Sequence, residues 1–117
     1  MQCENLDVWK RSCHLSVEIY KLFSNCKDYG FKDQITRSSL SIASNISEGL
    51  EKDSDKEKIR FIEIARGSTA ELKTQIFIDI EIGYIEKQIG LKWSKETESI
   101  SKMLHGLKKS YQRKNNV

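Results

Sequence analysis

The chain has no proline in its 117 residues, and it holds only six glycines, three cysteines and two histidines. Each scarcity excludes something. Without proline no helix is broken by a missing N–H, so helices run long and every connection is turned by glycine or polar residues. Cys3, Cys13 and Cys26 are odd in number and lie ten and thirteen positions apart, which fits neither a disulfide framework nor the paired spacing of a zinc site. Reduced thiols acting as small apolar fillers are expected. His14 and His105 fall on different predicted helices and are read as standing alone, without a histidine or carboxylate at the three- or four-residue spacing of a helical metal site, and the positions three before them hold Arg11 and Lys102. The Glu-x-x-His signature of carboxylate-bridged metal bundles is therefore missing, and no metal or other cofactor is expected. No apolar run approaches the roughly 18 residues of a spanning helix, so no membrane partner is expected. The first five residues lack the basic start and apolar run of a secretory signal, which predicts a cytoplasmic protein in which the acceptor-like Asn45-Ile46-Ser47 is inert.

What is present is an amphipathic pattern. Charged residues make up 32% and apolar residues 38% of the chain, too apolar for disorder and too charged for a membrane. Apolar residues recur at threes and fours in four segments, which predicts helices over 7–27, 32–49, 55–82 and 87–112 of one domain spanning 1–117. In the first, Val8, Trp9, Cys13, Val17, Tyr20 and Leu22/Phe23 mark the stripe, and Asp28-Tyr29-Gly30 is read as its end. In the second, Ile35, Ser39, Ile42 and Ile46 take seam positions with Ala43 beside them, and the many serines leave room for a close neighbour.

Ser54 with Glu57 three residues later reads as a capping box that starts the third helix. Ile62, Ala65, Thr69, Leu72 and Ile76 form its seam, and Gly83-Tyr84 marks the reversal after it. Phe61, Ile64, Phe77, Ile78 and Ile80 widen its apolar surface beyond one seam, which predicts an interface with further copies of the chain. Ile89, Trp93, Ile100, Met103/Leu104, Leu107 and Tyr111 mark the fourth helix, whose start is blurred by Gly90 and by Ser94 with Thr97-Glu98. Short connections make consecutive helices antiparallel, so the expected fold is all-α, an up-down-up-down four-helix bundle.

No nucleophile, metal cluster or phosphate loop emerges from this pattern, and Gly67-Ser68 lies within a helix rather than at a strand-to-helix elbow. No catalytic residue is assigned and the chain is expected not to be an enzyme. Asn45, Glu48, Arg66, Ser68, Glu71 and Gln75 lie close to seam positions; they read as a structural polar network, with ligand contact as the other account. Residues 101–117 carry Lys102, Lys108, Lys109, Arg113 and Lys114 and no acid, while the whole chain has a net charge of only +3. Such a basic end complements the helix dipole or contacts nucleic acid or another acidic partner.

The ordered set Leu6-Asp7-Val8-Trp9-Lys10, Gln34-Ile35-Thr36-Arg37, Ser41 to Gly49, Ala65-Arg66-Gly67-Ser68, Glu71-Leu72, Thr74-Gln75-Ile76, Gly83-Tyr84 and Met103 to Leu107 resembles a known family. It is that of the four-helix-bundle proteins encoded in intervening sequences of bacterial 23S ribosomal RNA genes, also labelled ribosomal protein S23. A remoter likeness is to the accessory variability determinant of diversity-generating retroelements. The resemblance implies a bacterial homopentamer of unknown function, and its remoter branch implies binding of nucleic acid and of a reverse transcriptase. Ser38-Ser39 depart from the family's Arg-Ala or Ala-Ala, and Ala43 from its frequent proline; the first change removes a positive charge. The expectation from all this is a non-catalytic oligomeric accessory protein that binds RNA or another nucleic acid through Arg37, Lys102, Lys108, Lys109, Arg113 and Lys114. The alternative is a scaffold for a protein partner with no nucleic-acid contact.

Overall fold

The computed structural model describes residues 6–115. Four helices follow one another: α1 (Asp7–Leu22), α2 (Tyr29–Leu50), α3 (Asp55–Ile82) and α4 (Lys87–Asn115), with no strand among the described residues. Each helix packs along the next and α1 closes onto α4, so α1 and α3 stand on one diagonal and α2 and α4 on the other. The result is an antiparallel bundle about 50 Å long and 22 by 21 Å across. Its core is a column of Leu15, Ile19, Ile35, Ile42, Ile46, Ile62, Leu72, Ile76, Ile100 and Leu104, each 2% exposed or less.

The α2 and α3 seams hold the positions that their periodicity gives them. Ile62, Ala65, Thr69, Leu72 and Ile76 are all buried, as are Ile35, Ser39, Ile42 and Ile46. The α1 stripe differs. Val8 and Phe23 are buried, but Val17 and Tyr20 are 49% and 44% exposed, and the inner face is completed by Ser12, Leu15, Ser16 and Ile19. The serines can be buried because their hydroxyls are satisfied: Ser12 donates to the Val8 carbonyl at 2.7 Å, and Ser16 meets Ser39 of α2 at 3.1 Å. Two small side chains in contact also let α1 and α2 lie close together.

The α1–α2 turn is built differently from its sequence reading. α1 stops at Leu22 rather than near residue 27, because Phe23 drops into the core and its ring packs on Phe31, 6.1 Å between centroids. Asp28 then starts α2 instead of ending α1: its Oδ1 accepts the Phe31 N–H at 3.1 Å, and Gly30 lies inside the helix. The Tyr84 hydroxyl donates to the other Asp28 oxygen at 2.6 Å, and Phe31 meets the Tyr84 ring edge-on at 5.5 Å. Asp28 thus ties the α1–α2 turn to the α3–α4 turn. These two hydrogen bonds, that from Tyr84 first, hold its carboxyl below the usual range.

α3 ends in a left-handed turn. Gly83 has φ of 82°, and the Tyr84 N–H reaches back to the Asp79 carbonyl at 3.0 Å while that of Gly83 reaches Ile80 at 3.2 Å. A side chain at Gly83 would strain this geometry. Gly49 has another role, since a Cβ there would stand 2.7 Å from the Phe61 Cβ, so its bare backbone lets α2 and α3 meet. α4 begins at Lys87 and runs straight through Gly90, whose backbone is covered by Ile80.

At the start of α3 half of the expected capping box forms: Ser54 Oγ accepts the Glu57 N–H at 3.1 Å, whereas the Glu57 carboxylate takes a hydrogen bond from Arg60 at 3.1 Å. Ser54→Ala is expected to destabilise the fold by about 1 kcal/mol, read as a lower urea midpoint at unchanged slope. An unaltered midpoint would mean that water replaces the cap without loss.

Candidate nucleic-acid interface

α4 ends in a cationic stretch because its last four turns carry basic residues on several sides and no acid. Lys102, Lys109, Arg113 and Lys114 are exposed, with Lys114 5.5 Å above the Tyr111 ring. Lys108 is drawn inward, its Nζ 3.3 Å from Glu63 of α3. Arg66 holds the same Glu63 carboxylate at 2.9 Å, and these contacts, the Arg66 hydrogen bond first, hold that acid below its ordinary range. Lys108 is therefore partly neutralised within the protomer. Arg37 is exposed and pairs with Asp33 at 3.0 Å, two turns into α2 and on the diagonal from α4. The structure gathers the α4 cations at one end and leaves Arg37 apart from them.

The polar residues near the seams form separate groups. Asn45 donates to the Ser41 carbonyl and hydroxyl at 2.8 and 2.9 Å, and Ser41 meets Ser68 of α3 at 2.9 Å. Gln75 reaches Glu71 at 3.4 Å along its own helix, and Arg66 likewise donates to Glu63 of its own helix at 2.9 Å, beside α4. Glu48 is exposed beside the α1–α2 groove. No single network joins the six. Sequence reasoning passed over two further groups. His14 does not stand alone as expected, since Glu18 follows one turn later with its carboxylate 3.4 Å from Nε2, although no cluster of three or more metal-ligating side chains exists among the described residues. Asp79 is fully buried with both carboxylate oxygens unpartnered, and burial pushes its pKa up to about 7. Its position one turn before Gly83, among isoleucines, was the available signal.

The apolar surface is also distributed differently. Ile64, Phe77 and Ile78 are 41%, 63% and 41% exposed, joined by Ile82 at 50%. Phe61 and Ile80 serve the protomer itself: Phe61 packs at Gly49 beneath Lys52 and Arg60, and Ile80 packs on the core. A second apolar strip lies on the outer side of α1 and α2, where Trp9, Cys13, Leu40 and Ala43 line an open groove flanked by exposed Val17 and Tyr20. Cys13 and Cys26 form no disulfide, and Cys3 lies outside the described residues. No helix is long and apolar enough to cross a membrane among the described residues.

No curated protein matches the chain. Among solved structures, it is similar to a protein of unknown function from the S23 ribosomal protein family of Bacteroides thetaiotaomicron, at 26% identity and a TM-score of 0.81, covering 87% of this chain and 98% of that one. The family model described as 23S rRNA-intervening sequence protein matches residues 4–106, stopping just before the last cations of α4. With the family model matched over most of its length, the chain belongs to the 23S rRNA-intervening sequence protein family.

Proposed function

We propose that this protein is a non-catalytic, cytoplasmic accessory subunit that assembles as a homopentamer and binds RNA through the basic end of α4. The observation that carries the reading is the run of Lys102, Lys108, Lys109, Arg113 and Lys114 without an intervening acid, four of the five exposed. Several copies around one axis would multiply that modest charge into a strong field. The surplus apolar surface supports assembly, in two places: the α1–α2 groove and the α3 residues Ile64, Phe77, Ile78 and Ile82. Family membership supports the connection to ribosomal RNA genes. Arg37 is the weakest of the proposed contacts, since Asp33 already pairs with it.

Titrating a fluorescent structured RNA with the protein at increasing salt tests the function. Affinity is expected to fall steeply with salt, and Lys109→Gln, Arg113→Gln and Lys114→Gln together should flatten the dependence by about one unit of slope per lost contact. An affinity indifferent to salt, or none at low salt, counts against RNA binding. Light scattering of the purified protein reports the assembly, and a stable monomer at high concentration would refute it.

A second reading, a scaffold for a protein partner, is favoured by the same α1–α2 groove. A defined partner that remains bound after nuclease digestion and is lost on Leu40→Glu would support it.

A further inference from the structure

A groove of about 530 Å³ runs between α3 and α4, on the side of the bundle opposite the apolar α1–α2 groove. Arg66 and Lys73 of α3 stand along one wall, and Lys102 and His105 of α4 along the other, with buried Thr69 and Thr97 between them and Glu98 as its one acid. Arg66 and Lys73 are seven residues apart, so they repeat on one helix face at about 10.5 Å. On α4, Lys102, His105, Lys109 and Arg113 follow at steps of three and four, so a single stripe leads from the groove into the basic end.

The charges in the groove are not all satisfied internally. Lys73 and Glu98 pair at 2.9 Å, and this contact, the hydrogen bond first, holds Glu98 below its ordinary range. Lys102 is exposed and not hydrogen-bonded to Glu98, although its charge also helps to hold that acid down. Arg66 donates one N–H to Glu63, but its Nε is buried with no acceptor. That buried donor is out of a ligand's reach, but the Arg66 side chain is 31% exposed, and the outer part of its guanidinium, beside a lysine and a histidine, suits a phosphate oxygen. No aromatic side chain lines the groove, so it offers no stacking platform for a base.

We infer that the α3–α4 groove holds the phosphodiester backbone of a nucleic acid, in a sequence-independent contact made by Arg66, Lys73, Lys102 and His105, with Lys109 and Arg113 continuing the track. This inference rests on the RNA-binding reading and deepens it: the contact made by the basic end of α4 continues into the groove. Glu98 acts as a brake, because it competes with phosphate for Lys73.

The test uses the full chain and a fluorescein-labelled RNA hairpin, with anisotropy measured from 50 to 300 mM salt. Lys73→Gln, Lys102→Gln and His105→Gln, all exposed and made together, are expected to weaken binding about tenfold or more at low salt and to make the salt slope shallower by about two. Glu98→Gln is expected to do the reverse, tightening binding about two- to threefold. That gain cannot come from misfolding. Hairpins of different sequence should bind alike.

If the groove variant binds like the wild type while the Lys109/Arg113/Lys114 variant loses affinity, the groove inference fails and RNA binding by the basic end stands. If the wild type binds no RNA at low salt, both fail. Displacement of the hairpin by polyglutamate as readily as by unlabelled RNA would assign the groove to an acidic protein and overturn the inference.

Discussion

Asp79→Asn is expected to stabilise the protein above neutral pH relative to the wild type, with the difference shrinking as the solution is made acidic. Asp79 is fully buried on α3, and neither of its oxygens has a hydrogen-bond partner. Burial alone raises its pKa from 3.8 to about 7. Between those values the folded protein keeps a proton that the unfolded chain releases, so stability falls as pH rises, and it levels off once the folded carboxyl has also ionised. At about 1.4 kcal/mol per pH unit the wild type loses on the order of 4 kcal/mol across this window.

Asparagine keeps the shape and cannot ionise, so the stability gap should widen by about 2–3 kcal/mol between pH 5 and pH 8. Urea denaturation at the two pH values measures it. Glu63, Glu96 and Glu98 have depressed values and act with the opposite sign, losing their contribution as the pH falls through their folded pKa. They are common to both proteins, so the comparison isolates Asp79. A gap that stays constant with pH would show that the buried carboxyl is charged throughout, or that the end of α3 opens to water.

Phe23→Ala should be the most damaging single truncation at the turn end of the bundle, costing about 3–5 kcal/mol. The ring is 1% exposed and lies under both turns, packed on Phe31, which in turn packs on Tyr84. Removing it leaves a cavity where three elements meet, and the α1–α2 turn also loses what closes it at residue 23. For a domain with a typical total stability of about 5–15 kcal/mol, the loss should appear as a large drop in urea midpoint. Exposed Tyr20, three residues earlier on α1, is the control: Tyr20→Ala should change the midpoint little. Equal effects at the two positions would mean that α1 is rotated from the orientation described.

These two residues mark where the sequence was hard to read. The α1 stripe of Trp9, Cys13, Val17 and Tyr20 has a helical repeat as regular as that of the α3 seam, yet it lines the outer groove. Periodicity locates an apolar edge without saying which neighbour covers it, and the true inner face of α1 includes Ser12 and Ser16, which no hydropathy pattern marks as buried. Asp28-Tyr29-Gly30 is similarly ambiguous, because aspartate and glycine occur at both ends of helices. Phe23 entering the core early decides between them. The α3 seam was legible because its five positions are core on either side, with α2 against one flank and α4 against the other.

The cationic contacts divide in the same way. The basic end of α4 can be counted from the sequence, being local to one segment. Arg66 and Lys73 could not be joined to Lys102 and His105, because about thirty residues and a reversal separate the two pairs. The number of helices, their antiparallel order, the α2 and α3 seams and the cap at Ser54 follow from the chain alone, since each depends on spacing or on groups within one or two turns. Which edge of α1 faces inward, why Gly49 must be bare, how Asp79 comes to be buried without a partner and which charges share a groove depend on distances between helices. Those distances are fixed only when the side chains of all four interlock, and they set the desolvation and the fields that give this protein its chemistry.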